Sequence, residues 1–118
     1  MTISMEDLRA GRVDFDDLID TDVRALGPVH PGEILRDCLN ELGLSAYGLA
    51  KAIRVPVNRV TAILAGRRAV TADTALRLAR CFGTSAELWL TLQAGYDLEV
   101  ARNARGAAIE AEVQPQAA

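Results

Sequence analysis

From residue 31 onward the apolar positions of this chain recur at intervals of three and four. Ile34, Leu35, Cys38, Leu39 and Leu42 form the first such stripe, which stops at Gly43. That spacing buries one face of a helix. Pro31 suits its first position, where no N–H is needed, and His30 with Glu33 stands at capping-box spacing before it. A second helix is predicted from a Ser45 cap to about Ile53, with Leu49, Ala50 and Ile53 inward. Only Arg54 and Val55 separate it from a third, which begins near Pro56, carries Val57, Val60, Ile63 and Leu64 on one side, and ends at Gly66. A fourth runs from a Thr71 cap to Phe82 over Ala75, Leu78, Ala79 and Phe82, and Gly83 follows it. A fifth opens at Ser85 and continues through Leu88, Trp89, Leu92, Tyr96, Leu98 and Val100. Gly43, Gly66 and Gly83 each fall where a left-handed residue ends a helix at little cost.

The flanks read differently. Residues 1–28 form an acidic N-terminal extension, partly helical, in which Phe15, Leu18, Ile19, Val23 and Leu26 share one stripe. Residues 29–105 are the folded unit. Residues 106–118 carry little apolar mass and are expected to be a disordered tail. The expected fold is therefore all-α, five helices around one core.

Composition adds limits. The chain has 118 residues, half of them apolar and only 4% aromatic, which suits Leu- and Ala-rich helices. No apolar run approaches the ~18 residues of a membrane span, and the N-terminus has no signal-like apolar segment, so a cytoplasmic protein without membrane contact is expected. Cys38 and Cys81 lack metal-ligand spacing and read as packed thiols, so neither metal nor cofactor is expected. The lone histidine, His30, reads as a cap. The acidic pairs Asp16/Asp17 and Glu110/Glu112 lie in flanks without a scaffold. Nothing in this pattern points to an enzyme.

The net charge of −3 is unevenly spread. Residues 1–27 hold seven acids against three arginines. Between Leu42 and Ala72 stand five bases (Lys51, Arg54, Arg59, Arg67 and Arg68) and no acid. A polyanion feels charge within a Debye length of about 8–10 Å, so the local excess outweighs the sum. A solvated helix face would mix both signs.

Two short helices joined by a tight turn form the skeleton of a helix-turn-helix. Ala50 is small where the helices cross, Val55 plugs the turn, and Val60 with Ile63 anchors the second helix. The outward positions at its start are then Asn58, Arg59, Thr61 and Ala62, and Pro56 and Val57 in its first turn are candidate DNA contacts beside them. Asn58 can pair with adenine, Arg59 can reach guanine or phosphate, and the methyls of Thr61 and Ala62 can touch thymine. Ser45 and Ala46, at the start of the preceding helix, would face a phosphate. Arg67 and Arg68 would neutralise the backbone. Arg54 stands where this turn usually has glycine, at a cost of ~1 kcal/mol if left-handed. Leu88, Leu92 and Tyr96, flanked by Trp89, are the expected dimer seam.

At this point a resemblance appears. His30-Pro31-Gly32-Glu33-Ile34-Leu35, followed by this motif, resembles HigA-type antitoxins of the Xre-like helix-turn-helix class. The segments Thr71–Arg80, Phe82–Trp89 and Leu92-Gln93…Tyr96-Asp97-Leu98 are similar to the same family, and the likeness spans roughly Val29 to Arg102. It implies a lambda-repressor-like domain, a homodimer on a palindromic double-stranded DNA operator, and neutralisation of a HigB-type toxin of the RelE fold, a ribosome-dependent ribonuclease. The acidic extension lies outside the resemblance. Its Phe15, Asp16, Asp17, Leu18 and Ile19 are candidate toxin contacts, because a ribonuclease that holds RNA is itself basic. A stand-alone repressor without a toxin, and an adaptor that has lost DNA binding, remain open alternatives.

Overall fold

The structure is a computed structural model that describes residues 28–116. Its elements are α1 (Pro31–Leu42), α2 (Ala46–Ile53), α3 (Val57–Leu64), α4 (Ala72–Phe82) and α5 (Ala86–Glu112), with no strand among the described residues. The extension and its stripe lie outside them.

Each helix begins where a side chain can accept an orphan N–H, except at α3. Ser45, Thr71 and Ser85 accept from Gly48, Thr74 and Leu88. His30 caps α1 differently from the capping-box expectation: its Nδ1 accepts from the Gly32 N–H at 2.9 Å, while the Glu33 backbone N–H donates to the His30 carbonyl. Pro56 opens α3 with an extended backbone and no side-chain bond. Gly43, Gly66 and Gly83 take positive φ, and Arg54 does so as the one non-glycine among the described residues (φ 59°). The arginine is tolerated because its N–H closes α2 onto the carbonyls of Ala50 and Lys51.

The core gathers the inward positions of all five helices: Leu35 and Cys38 from α1, Leu49 and Ala50 from α2, Val60 and Ile63 from α3, Ala75, Leu78 and Phe82 from α4, and Trp89 and Leu92 from α5. Packing runs between α2 and α3, α1 and α3, α4 and α5, α1 and α5, and α2 and α4. Val55 is half-buried against this core, as a plug in the turn should be.

Two expectations change. Residues 106–112 are not a loose tail, because α5 continues to Glu112. Extending an existing helix adds a hydrogen bond per residue without a new nucleus, and alanines at 107, 108 and 111 keep the cost low. Ion pairs Arg102–Glu99 and Arg105–Glu112, both at 3.8 Å, lie on this part. The expected seam changes as well. Trp89 and Leu92 are 0% and 4% exposed, so both belong to the subunit's own core. Leu88 packs against that core, and Tyr96 sets its ring edge-on to His30 at 4.8 Å. The turn at Gly83 and Thr84 aims the first part of α5 back across α4, which spends the stripe inside the monomer. Cys81 is exposed, whereas Cys38 is buried as expected.

A close backbone approach lies between α1 and α3. A Cβ on Gly32 would collide with the Ile63 carbonyl oxygen, and the obstacle is backbone that cannot swing aside. Gly32→Ala should therefore cost about 2–3 kcal/mol or more, although alanine favours helix. Urea denaturation compared with Gly43→Ala, where the added methyl meets nothing, separates this clash from backbone strain.

Candidate nucleic-acid interface

Helix α3 has eight residues, too few to stand alone in water, so the core fixes its orientation. Val60 and Ile63 are 1% exposed and face inward, which turns the opposite side to solvent. Pro56, Val57, Asn58 and Thr61 are exposed there, and Ala62 is half-buried. Among the described residues the Asn58 side chain has no hydrogen-bond partner, so its donor and acceptor are both available. The Thr61 hydroxyl donates to the Asn58 carbonyl at 3.3 Å, leaving its methyl outward.

The surrounding groups are polar or cationic. Ser45 uses its oxygen to cap α2 at 3.0 Å, and its hydroxyl proton stays free to donate. Ala46 is half-buried beside it. Lys51 lies over the Tyr47 ring at 5.7 Å. Arg67 and Arg68 are exposed in the loop after α3.

Arg59 departs from the expectation of a freely projecting reader. Its side chain is 25% exposed, and its Nη1 lies 3.2 Å from Asp73 at the start of α4. Its Nε is buried without a partner. The same carboxylate oxygen accepts from Arg77 Nε at 2.8 Å, and Arg77 Nη1 donates to the Ile53 carbonyl at the end of α2. The Arg77 hydrogen bond, together with the charges of Arg77 and Arg59, holds the Asp73 carboxyl below its ordinary range. Asp73 and Arg77 thus tie together the ends of α2, α3 and α4. Neither residue stands out in the sequence, since nothing local marks a pair 14 or 24 residues apart.

A helix-turn-helix family model matches residues 35–89. Virulence-associated protein I of Dichelobacter nodosus is 53% identical over 74 residues, covering 62% of this chain and 68% of that protein. An addiction module antidote protein of the HigA family from Coxiella burnetii is similar in structure, with a TM-score of 0.74 and 56% identity over 75% of this chain and 98% of that one. The Pseudomonas aeruginosa antitoxin HigA, solved with the higBA promoter, has a TM-score of 0.74 and 45% identity over 76% and 99%. The chain belongs to the HigA family of helix-turn-helix antitoxins.

It is a family of regulators, not of enzymes. In this HigA-family chain the loop behind α3 is held from below. His30 is 7% exposed and its ring lies under Gly66, in the loop that carries Arg67 and Arg68. Gln93 holds the far end of the same loop: its Oε1 accepts from the Val70 N–H at 2.8 Å, and its Nε2 donates to Asp97 at 2.9 Å. Both arginines that flank the recognition helix therefore ride on a loop pinned to buried polar groups. No described helix is long and apolar enough to cross a membrane.

Burial lowers the His30 pKa from its ordinary 6.5, against the pull of Asp97, Glu33 and the Arg68 backbone. The proton would have to enter at Nδ1, which is already accepting from Gly32. Above pH 6.5 the ring is neutral in both folded and unfolded chains, and its contribution is whole. Below that value the unfolded chain takes up a proton that the folded one refuses, so stability falls as pH drops from 6.5 towards the folded pKa. The limiting slope is about 1.4 kcal/mol per pH unit. Unfolding free energies of wild type and His30→Asn at pH 7 and pH 5.5 should show this difference in the wild type alone.

Proposed function

We propose that this chain binds a palindromic operator as a homodimer, represses its own promoter, and neutralises a HigB-type ribonuclease toxin of the RelE fold. The observation that carries the DNA-binding part is the exposed side of α3. It presents an unpartnered amide at Asn58 and methyl-bearing positions at 61 and 62, flanked by Arg67 and Arg68. The stretch between Leu42 and Ala72 that builds it contains no acid. The relative solved with promoter DNA supports the same reading.

Within this surface the roles divide. Asn58 reads a base edge, with Val57, Thr61 and Ala62 in apolar contact beside it. Ser45, Ala46, Arg67 and Arg68 meet phosphates, and Pro56 sets the start of the helix. Arg59, tethered to Asp73, offers its remaining guanidinium edge to the backbone. A toxin partner fits the acidic extension, because opposite charge speeds encounter with a basic ribonuclease.

Two half-sites about 34–36 Å apart demand a twofold axis. With Trp89 and Leu92 inside the core, the distal part of α5 is the seam that remains. Leu98 and Ile109 are 50% and 46% exposed, with Ala101, Gly106 and Ala107 between them leaving a shallow trough along the helix.

Asn58→Ala should lower operator affinity by about 1–3 kcal/mol and leave binding to scrambled DNA nearly unchanged. Arg67→Ala or Arg68→Ala should instead weaken both DNAs and flatten the log-affinity against log-salt slope by about 0.9. Titrations over a salt series distinguish these outcomes, and equal losses for Asn58→Ala on both DNAs would remove it from base readout.

Leu98→Glu or Ile109→Glu should yield folded monomers with weakened operator binding. Sedimentation velocity checks this, and an intact dimer in both variants would move the seam off α5.

A further inference from the structure

A groove of about 400 Å3 runs between the C-terminal end of α2 and α4. Ala52, Ile53 and Leu76 supply its apolar part. Leu76 is 64% exposed, an aliphatic side chain projecting from α4 with little over it. Arg54, Arg77 and Arg80 stand around it. Its one carboxylate among the described residues, Asp73, is already neutralised by Arg59 and Arg77. Neither Arg54 nor Arg80 has an ion-pair partner among the described residues. An apolar strip edged by uncompensated cations selects a segment with the opposite pattern: an apolar ridge flanked by carboxylates.

The chain carries such a segment. Residues 14–26 hold Phe15, Leu18, Ile19, Val23 and Leu26 at helical spacing; on such a helix Asp14 and Asp16 would edge the stripe, Asp22 would stand within it, and Asp17 and Asp20 would face away. Only Gly27 separates this segment from the described domain. Its 13 residues span about 20 Å as a helix and about 43 Å extended. Extended, the segment is longer than either of the two shorter dimensions of the described structure, 29 and 26 Å. A helix of this length is marginal in water without a surface to pack on.

We propose that, in the toxin-free protein, residues 14–26 dock in the α2–α4 groove of the same polypeptide. Their apolar ridge covers Leu76, and their aspartates pair with Arg54 and Arg80. The docked segment then lies beside Asp73, whose carboxylate also holds Arg59 of the recognition helix. The inference stands on groove and segment chemistry alone and does not depend on which DNA or toxin the chain binds.

The 118-residue chain supplies its own probe, because Cys81 lines the groove and is exposed while Cys38 is 0% exposed. Leu18→Cys should form an intramolecular disulfide with Cys81 under oxidised glutathione, and Thr2→Cys should not. Alkylation of Cys81 by iodoacetamide should be about tenfold slower in wild type than in Leu18→Asp/Ile19→Asp, the protection given by a docking equilibrium of about ten. Leu76→Asp, a surface change that leaves the core intact, should release the segment in the same way. Equal alkylation rates in wild type and both variants would overturn the proposal. A covalent dimer formed through Leu18→Cys and Cys81, in place of the intramolecular link, would do so too, by placing a second copy in the groove.

Discussion

The contact on which the rest of the structure depends is the passage of Gly32 under the carbonyl of Ile63. It brings the start of α1 against the last turn of α3 with no side chain between them. A two-turn helix takes its angle from what it rests on, and here it rests on backbone. His30, two residues earlier, extends the same junction: its ring is buried, caps α1, lies under Gly66 and meets Tyr96 edge-on. The recognition helix, the basic loop behind it and the first part of α5 are therefore registered against one point. A small displacement there would move every group that faces solvent on α3.

Electrostatics follow a second logic, in which acids are placed to organise arginines as well as to balance them. Asp73 accepts from Arg59 and Arg77, and Arg77 reaches on to the carbonyl end of α2. The three residues form a surface clamp across the ends of three helices. Exposed ion pairs of this kind contribute little stability singly. Their effect is on geometry: the guanidinium of Arg59 is held close to the protein, so Asn58 becomes the more accessible polar group at the start of α3. A net charge of −3 coexists with a surface fit for a polyanion because acids are withheld from residues 43–71 and concentrated before residue 28.

Helix α5 serves two environments in succession. Its first part buries Trp89, Leu92 and Gln93, and the Trp89 indole donates to Thr84 at 3.0 Å, which fixes the angle at which the helix leaves α4. Beyond Tyr96 none of its residues is buried. Some 27 residues long, and so about 40 Å, it accounts for much of the 50 Å long axis.

Much of this was legible in the sequence. Helical periodicity, three terminal glycines and the Ser and Thr caps placed all five helix starts and the first four helix ends to within a residue or two, since each signal acts between neighbours in the chain. Arg54 stands where this turn usually has glycine, which left either a shifted turn or a left-handed arginine, and the structure takes the second; the outward set on α3 followed from its anchors Val60 and Ile63. What the sequence could not settle is which of two apolar destinations a stripe chooses. Leu88, Trp89, Leu92 and Tyr96 are equally good for a core or for a seam, and only the angle set at Gly83 and Thr84 sent Trp89 and Leu92 into the subunit's own core. The clamp of Asp73, the Arg77 bond to Ile53, and the Gln93 bond to Val70 join residues 14 to 24 apart. The continuation of α5 past residue 105 was hidden for another reason: it needs no buried face, only a helix already begun. Periodicity determines which side of a helix is apolar, and the fold alone decides what that side meets.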